Sequence, residues 1–236
     1  MLIAVIGGKL QGVEVVYLAQ KAGLQTIVID KDPNAPAARL CDCFLEFEFT
    51  CENPVPLRIS NVDLIIPAIE DVEVLTLVKM WARIKNIALA FDLEAYKITN
   101  SKLKSNALFK KMNLPVPESW PNCGFPIVLK PDHESGSQGV KVFNDSKTFN
   151  ARFSNEQSLN NMVIQQYLKG PCCSIEVAGH PGKYHAFYVT DLAMDSIHDC
   201  KRVTAPTQIS SDQINQFKKM AIAIAGKINL TGIMDV

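Results

Sequence analysis

The sequence predicts an α/β chain in two parts, a parallel-sheet domain followed by an α+β region, and three observations carry that expectation. Before residue 95, short apolar runs alternate with stretches of helical spacing. From Pro126 onward the pattern shifts to a succession of short strands. Between residues 125 and 170 one apolar run delivers a lysine, a small-residue loop follows, and a second apolar run ends in polar groups and a glycine.

The elements follow in order. Residues 2–6 form a short apolar run closed by Gly7-Gly8, and residues 11–22 carry Val13, Val16, Tyr17 and Ala19 at helical spacing before Gly23. Residues 26–29 are a second buried run ending at Asp30, and residues 62–66 another ending at Pro67. Residues 72–84 read as a helix with Leu75, Val78 and Trp81 on its apolar side. Strands and helices alternating at these lengths predict a parallel sheet with crossovers, whose ligands sit beyond the carboxyl ends of the strands. Those ends carry Gly7-Gly8-Lys9-Leu10-Gln11-Gly12, Asp30 and Glu70. The glycine loop meets the dinucleotide pattern G-x-G-x-x-G only loosely. Asp30 suits a ribose hydroxyl, and Lys9 and Gln11 suit a carboxylate or phosphate at a helix start, while the same residues equally suit a turn and an N-cap.

A helix is predicted over 100–112, with Leu103, Ala107, Leu108 and Met112 on one face, stopped by Leu114-Pro115-Val116-Pro117. Short strands are predicted at 127–129, 140–143, 162–166, 174–178 and 184–190, then a helix at 212–228 carrying Ile214, Phe217, Ala221, Ile224 and Ile228. Residues 231–236 read as a strand beginning, and an apolar run that stops in mid-element predicts truncation.

The segment 125–170 has the layout of a nucleotide clamp. Lys130 would place an ammonium beside phosphate, and the loop around Gly136 and Gly139 could lay backbone N–H groups along phosphate oxygens. A lysine at a strand end also suits a solvated terminus, and Ser-Gly-Ser-Gln-Gly a flexible turn.

Composition bounds the function. The chain is 47% hydrophobic and 20% charged, and its 24 Lys plus Arg equal its 24 Asp plus Glu, so no net field draws it to nucleic acid or an anionic membrane. No run approaches the roughly 18 apolar residues of a membrane span, and the opening residues lack a basic leader, so a cytoplasmic protein is expected. Seven cysteines, an odd number, argue for reduced thiols, and Cys41-Asp42-Cys43 and Cys172-Cys173 lack zinc-site spacing. His133, His180, His185 and His198 share no spacing and suggest no base.

These residues resemble the ATP-grasp carboxylate–amine ligases over essentially the whole chain. The most specific pieces are Gly7 to Gly12, Ile29-Asp30-Lys31, Phe91 to Tyr96, the helix from Lys102 with its Pro-x-Pro exit, Asp199-Cys200, Val203-Thr204 and Gly232 to Val236. Within the family the chain is most similar to the branch that joins 3-methylornithine to L-lysine in pyrrolysine biosynthesis. The resemblance implies a pre-ATP-grasp domain over 1–95, a lid subdomain over 96–170 and the start of a core subdomain over 171–236, incomplete at its C-terminus. It implies ATP and Mg2+, an acyl phosphate on the acid, and attack on it by the ε-amine of lysine.

By the same resemblance Lys104, near Lys102 at the start of the lid helix, contacts phosphate. Lys130 lies beside the α- and β-phosphates, and Ser135, Gly136, Ser137 and Gly139 belong to the loop above them. Gln165, Gln166, Tyr167 and Leu168 match the adenine hinge, where relatives usually carry glutamates; a glutamine still accepts from the adenine amine. Lys9, Leu10, Gln11 and Glu70 match lysine-binding positions, Glu70 pairing with the α-ammonium, and Lys9 and Asp30 are a possible second nucleotide or ribose contact. Ser174, Glu176, Asp199 and Asp235 match positions near the acid substrate, and also suit polar strand ends. No catalytic residue is assigned. The acidic residues and asparagine that hold magnesium in the family follow the Met-Asp-Val strand and are not in this sequence, so no metal ligand is expected here, and weak nucleotide binding with little turnover is. Alternatives are another ATP-grasp ligase, D-alanine ligase-like or biotin-carboxylase-like, or a non-catalytic nucleotide- or amino-acid-binding module. A dinucleotide-dependent oxidoreductase is disfavoured by the imperfect glycine pattern.

Overall fold

A computed structural model describes residues 1–59, 61–134, 136–153, 159, 161–196 and 198–236 of the chain. It divides into two compact units, Met1–Leu93 and Glu94–Val236.

The first unit is a five-stranded parallel sheet built from β1 (Leu2–Ile6), α1 (Leu10–Lys21), β2 (Gln25–Asp30), β3 (Cys43–Glu46), β4 (Leu64–Pro67), α2 (Val72–Lys85) and β5 (Ala88–Leu89), in the order β3-β2-β1-β4-β5. β1 is central and buried on both faces. Ala4 and Ile6 pack with Val78 and Trp81 of α2, while Ile3 and Val5 pack with Val16 and Ala19 of α1. Burial on both sides makes each inner strand an unbroken apolar run, which is the signal that makes these strands readable. Asp71 caps α2, its carboxylate accepting from the N–H groups of Glu73 at 2.9 Å and Val74 at 3.0 Å. β3 and β5 are additions to the expected strands, because four and two residues carry too little period to read.

The second unit contains α3 (Leu93–Thr99), α4 (Lys102–Lys111), β6 (Ile127–Pro131), β7 (Lys141–Phe143), α5 (Ser146–Arg152), β8 (Met162–Gln166), β9 (Cys172–His180), β10 (Lys183–Met194), β11 (Cys200–Thr204), α6 (Ser211–Lys227) and β12 (Gly232–Asp235). Two antiparallel sheets result, β7-β6-β8 and β11-β10-β9-β12. Ala221 and Ala225 of α6 pack on Ile175 and Val177 of β9 and Ala186 and Val189 of β10, so the alternation of β9 turns Ser174 and Glu176 to the opposite face. A capping box starts α6: the Ser210 hydroxyl accepts from Gln213 N–H, and the Gln213 side chain accepts from Ser210 N–H. Among the described residues no helix is long and apolar enough to cross a membrane.

Candidate functional site

In the three-stranded sheet, Ile127 and Leu129 pack with Phe149 of α5, which leaves Val128 and Lys130 on the other face. β8 runs antiparallel with Gln165 opposite Val128 and Val163 opposite Lys130. Directly opposed residues share a face, so Lys130 and Gln165 project from the same side. The start of one predicted clamp segment is thereby paired with the end of the other. Helix α4 meets this face: Asn106 donates its Nδ2 to Gln165 Oε1 at 3.0 Å. Gln165 is 7% exposed, and its amide is already engaged with the helix. Gln166 is exposed, its N–H donating to the Glu118 carbonyl at 2.8 Å, and Tyr167 N–H donates to the Pro126 carbonyl at 3.0 Å. Leu168 is exposed.

Two cations lie near the end of β6. Burial lowers the pKa of Lys130 below the ordinary lysine value, and the neighbouring Lys102 ammonium lowers it further. Lys102 reaches this position from the first turn of α4, donating its Nζ to the carbonyls of Asp132 at 3.1 Å and Glu134 at 2.7 Å. Among the described residues that uses two of its three donors. Lys104, expected to make the phosphate contact, gives one of its ammonium donors to the Lys97 carbonyl at 2.9 Å. The structure sets Lys102 beside Lys130. The sequence offers two lysines two residues apart on one helix, and only the tertiary pairing of the helix start with β6 separates them.

The loop after β6 carries Gly136, Ser137 and Gly139 in left-handed conformation, with φ of 59°, 59° and 72°; Ser135 lies outside the described residues. A Cβ on Gly139 would stand 2.7 Å from Pro131 Cγ, so the loop returns directly over the end of the strand. A cavity of about 530 Å³ opens between Gly136, Ser137, Gln138 and Val140 on one side and Ser196, His198 and Asp199 on the other. The Ser137 hydroxyl donates to the His198 carbonyl, and the Tyr167 and His198 rings meet edge-on with centroids 5.9 Å apart. Nothing in the chain order joins His198 to the glycine loop, so its place at the cavity has no signal in the sequence.

The four expected acid-substrate residues separate into two places. Asp199 lines the cavity, paired with Lys201 at 2.6 Å. Ser174, Glu176 and Asp235 group on the four-stranded sheet, where Asp235 sits opposite Glu176. Partial burial, then the charge of Glu176, push the Asp235 carboxyl up from its ordinary value, while a Ser174 hydrogen bond opposes the rise. The Ser174 and Thr190 hydroxyls are 3.0 Å apart. Among the described residues no group of three or more His, Cys, Asp or Glu is placed to hold a metal.

In the first unit, Gln11 at the start of α1 donates its Nε2 to Glu70 Oε1 at 3.3 Å, bringing two of the expected lysine-binding residues together beyond the carboxyl ends of the strands. Leu10 is 74% exposed beside them, and Lys9 occupies the N-cap position without a side-chain cap bond. Asp30 is occupied within the fold, where its carboxylate accepts from Gly8 N–H at 2.6 Å and Asp32 N–H at 2.9 Å and so holds the glycine turn to the end of β2. A Cβ on Gly12 would lie 2.2 Å from the Gly7 carbonyl oxygen, so this loop is filled by its own backbone. The ribose expectation for Asp30 thus meets a carboxylate already bound to two backbone amides.

Comparison with known proteins gives the family and the fold. Residues 99–236 match the model of the ATP-grasp domain, and residues 3–90 match that of the PylC-like N-terminal domain. The chain belongs to the ATP-grasp family. It is 34% identical over 235 residues to the 3-methyl-D-ornithine--L-lysine ligase of Methanosarcina mazei, covering 99% of this chain and 60% of that protein. The chain thus spans about three-fifths of the length of the curated relatives it matches. Among solved structures, an ADP complex of N5-carboxyaminoimidazole ribonucleotide synthetase superposes with a TM-score of 0.81 at 17% identity, over 100% of this chain and 65% of that one. The biotin carboxylase domain of Hydrogenobacter thermophilus 2-oxoglutarate carboxylase, solved with MgADP, ADP and bicarbonate, gives 0.76 at 13% identity, over 99% and 59%. These likenesses show the shared fold.

Proposed function

We propose that this chain binds ATP through its second unit and serves the ligation of 3-methylornithine to the ε-amine of L-lysine. The observation that carries the reading is that Lys102, bonded to the carbonyls of Asp132 and Glu134, sits near enough to Lys130 for its charge to act on it, at the start of a left-handed glycine loop that borders a cavity. Two ammonium groups held close together and partly out of water cost free energy unless an anion neutralises them, and a polyphosphate does so. Backbone N–H groups of the loop add donors, and Gln166 to Leu168 face the base.

In the reaction, a carboxylate oxygen of the acid attacks the γ-phosphorus and ADP leaves, giving an acyl phosphate. The neutral ε-amine of lysine then attacks the acyl carbon; phosphate departs with the C–O electron pair, and the amine loses its proton to yield the amide. Lys102 and Lys130 offset the charge of the phosphates through this sequence. Glu70 and Gln11 supply a carboxylate and an amide for the α-ammonium and carboxylate of lysine. Glu176 and Asp235, two carboxylates on adjacent strands, attract the ammonium groups of an ornithine-type acid. In this reading residues 96–170 act as the lid and residues 171–236 belong to the core. Magnesium is the expected companion of the nucleotide, but among the described residues no group of three or more His, Cys, Asp or Glu is placed to hold it.

The test is a calorimetric titration of the purified chain with ATP, followed by mass spectrometry after incubation with ATP, 3-methylornithine and isotopically labelled lysine. Weak but saturable ATP binding and a small amount of a labelled amide of the two amino acids are the expected results. Absence of ATP binding at millimolar nucleotide overturns the reading. Binding without an amide reduces it to a nucleotide-binding module, and an amide formed only from other amino acids overturns the substrate assignment.

A further inference from the structure

One acidic side chain ties the two cation-bearing elements together. Asp132, the residue after β6, is 6% exposed and Ser101, the residue before α4, is 1% exposed. The Ser101 hydroxyl lies 3.0 and 2.8 Å from the two carboxylate oxygens of Asp132, and Leu103 N–H donates to Oδ1 at 2.8 Å. Ser101 Oγ in turn accepts from Lys104 N–H at 3.2 Å. The Asp132 carbonyl accepts from both the backbone N–H of Lys102 at 3.3 Å and its ammonium at 3.1 Å. His133 closes the outer side, with Nε2 3.2 Å from Asp132 Oδ2 and Nδ1 3.2 Å from the Asn100 carbonyl. Of the orphan donors in the first turn of α4, Leu103 N–H is thus met by the Asp132 side chain and Lys102 N–H by the Asp132 carbonyl, across some thirty residues of sequence, while Lys104 N–H is met by the N-cap Ser101, itself bonded to that carboxylate.

With Leu103 and Lys104 N–H already bound, the amide donors of this helix start are withdrawn from any phosphate, which must be met by side-chain ammonium groups. The carboxylate also fixes where Lys102 begins relative to Lys130, because Lys102 lies between its two anchors, Ser101 and Leu103. We infer that Asp132, with Ser101, is the positioning residue that registers Lys102 against Lys130 and so forms the polyphosphate-binding cation pair. This rests on the nucleotide-binding reading above and assigns it a structural origin.

A helix cap alone would affect only stability, so the test must read the coupling between Asp132 and Lys102. In the full chain, Asp132→Ala, Asp132→Asn, Lys102→Met and the two double variants with Lys102→Met are compared for ADP affinity by calorimetry and for thermal midpoint. Asp132→Asn keeps the shape and one acceptor, and serves where Asp132→Ala does not fold. Asp132→Ala is expected to weaken ADP binding about tenfold and Asp132→Asn about threefold, while neither weakens it further in the Lys102→Met background, since coupled residues are non-additive. Affinity within about twofold of wild type in both Asp132 variants, or losses that add fully to that of Lys102→Met, overturns the inference and leaves the nucleotide reading standing. A wild-type chain that binds no ADP overturns both.

Discussion

The glycine loops that follow β1 and β6 put glycine to opposite uses. Residues 7–12 leave no room: a Cβ on Gly12 would strike the Gly7 carbonyl at 2.2 Å, and Asp30 ties the turn down through Gly8. Residues 136–140 border a cavity of about 530 Å³, and a Cβ on Gly136 would meet nothing within 4 Å. The first loop is a packing device that brings a helix start close to a sheet. The second has open space and two mutually repelling ammonium groups near its base, the conditions an anion relieves. Glycine content alone therefore does not identify a phosphate loop; the space around it and the charge beside it do.

Substitutions separate the two loops. Gly12→Ala should destabilise the chain most, by about 3 kcal/mol, because a methyl group is forced against backbone, and thermal or chemical denaturation should show the loss. If its stability matched wild type, the first loop would not be packing-limited. Lys130→Met should weaken ATP binding roughly 10–100-fold, the worth of hydrogen bonds to a charged group. Its thermal midpoint should hold or rise, because a half-buried cation that the Lys102 charge also disfavours is removed. Gly136→Ala should cost only about 1 kcal/mol, from its left-handed φ of 59° with open space around it, and should show its main effect in nucleotide affinity.

The pH dependence is smaller and distinguishes the charges. Lys130 binds phosphate as the ammonium, and its pKa lies below the ordinary lysine value. ATP affinity should therefore begin to fall at a lower alkaline pH than a free lysine dictates, and Lys130→Met should lack that limb. For Asp132 burial alone would raise the pKa, but the Leu103 N–H, the Ser101 hydroxyl and the charges of His133 and Lys102 outweigh it and hold the carboxyl below the usual range. A depressed carboxylate contributes stability that is present above its unfolded pKa and is lost as pH falls through the folded one. The acid limb of a melting-temperature profile should therefore flatten in Asp132→Asn.

How far the sequence can be read depends on which signals are local. β1, β2 and β4 are legible because inner strands of a parallel sheet are apolar throughout. β11 is not: all five of its residues are exposed, so it carries no apolar alternation. α3 and α5, seven residues each, are too short for a helical stripe. Within the candidate site, Lys130 and the small-residue loop can be read because strand end and loop are adjacent in the chain. The partnership of Lys102 with Lys130, the part played by Asp132 and the approach of His198 to Ser137 depend on contacts across roughly 30 to 60 residues, which no local period encodes. Lys104 is the natural choice in a lysine-rich helix start, and its bond to the Lys97 carbonyl depends on how α4 follows α3 in the fold.

If the phosphates of a nucleotide settle on Lys102 and Lys130, and not at the glycine loop of the first unit, they should shield those two ammonium groups from chemical modification. Lysine acetylation footprinting of the intact chain, with and without ATP and read by mass spectrometry, observes this at each lysine separately. ATP should protect Lys102 and Lys130 while the reactivity of Lys9 is unchanged. Protection of Lys9 with no change at Lys130 would place the phosphates at the wrong loop and refute the cation-pair site.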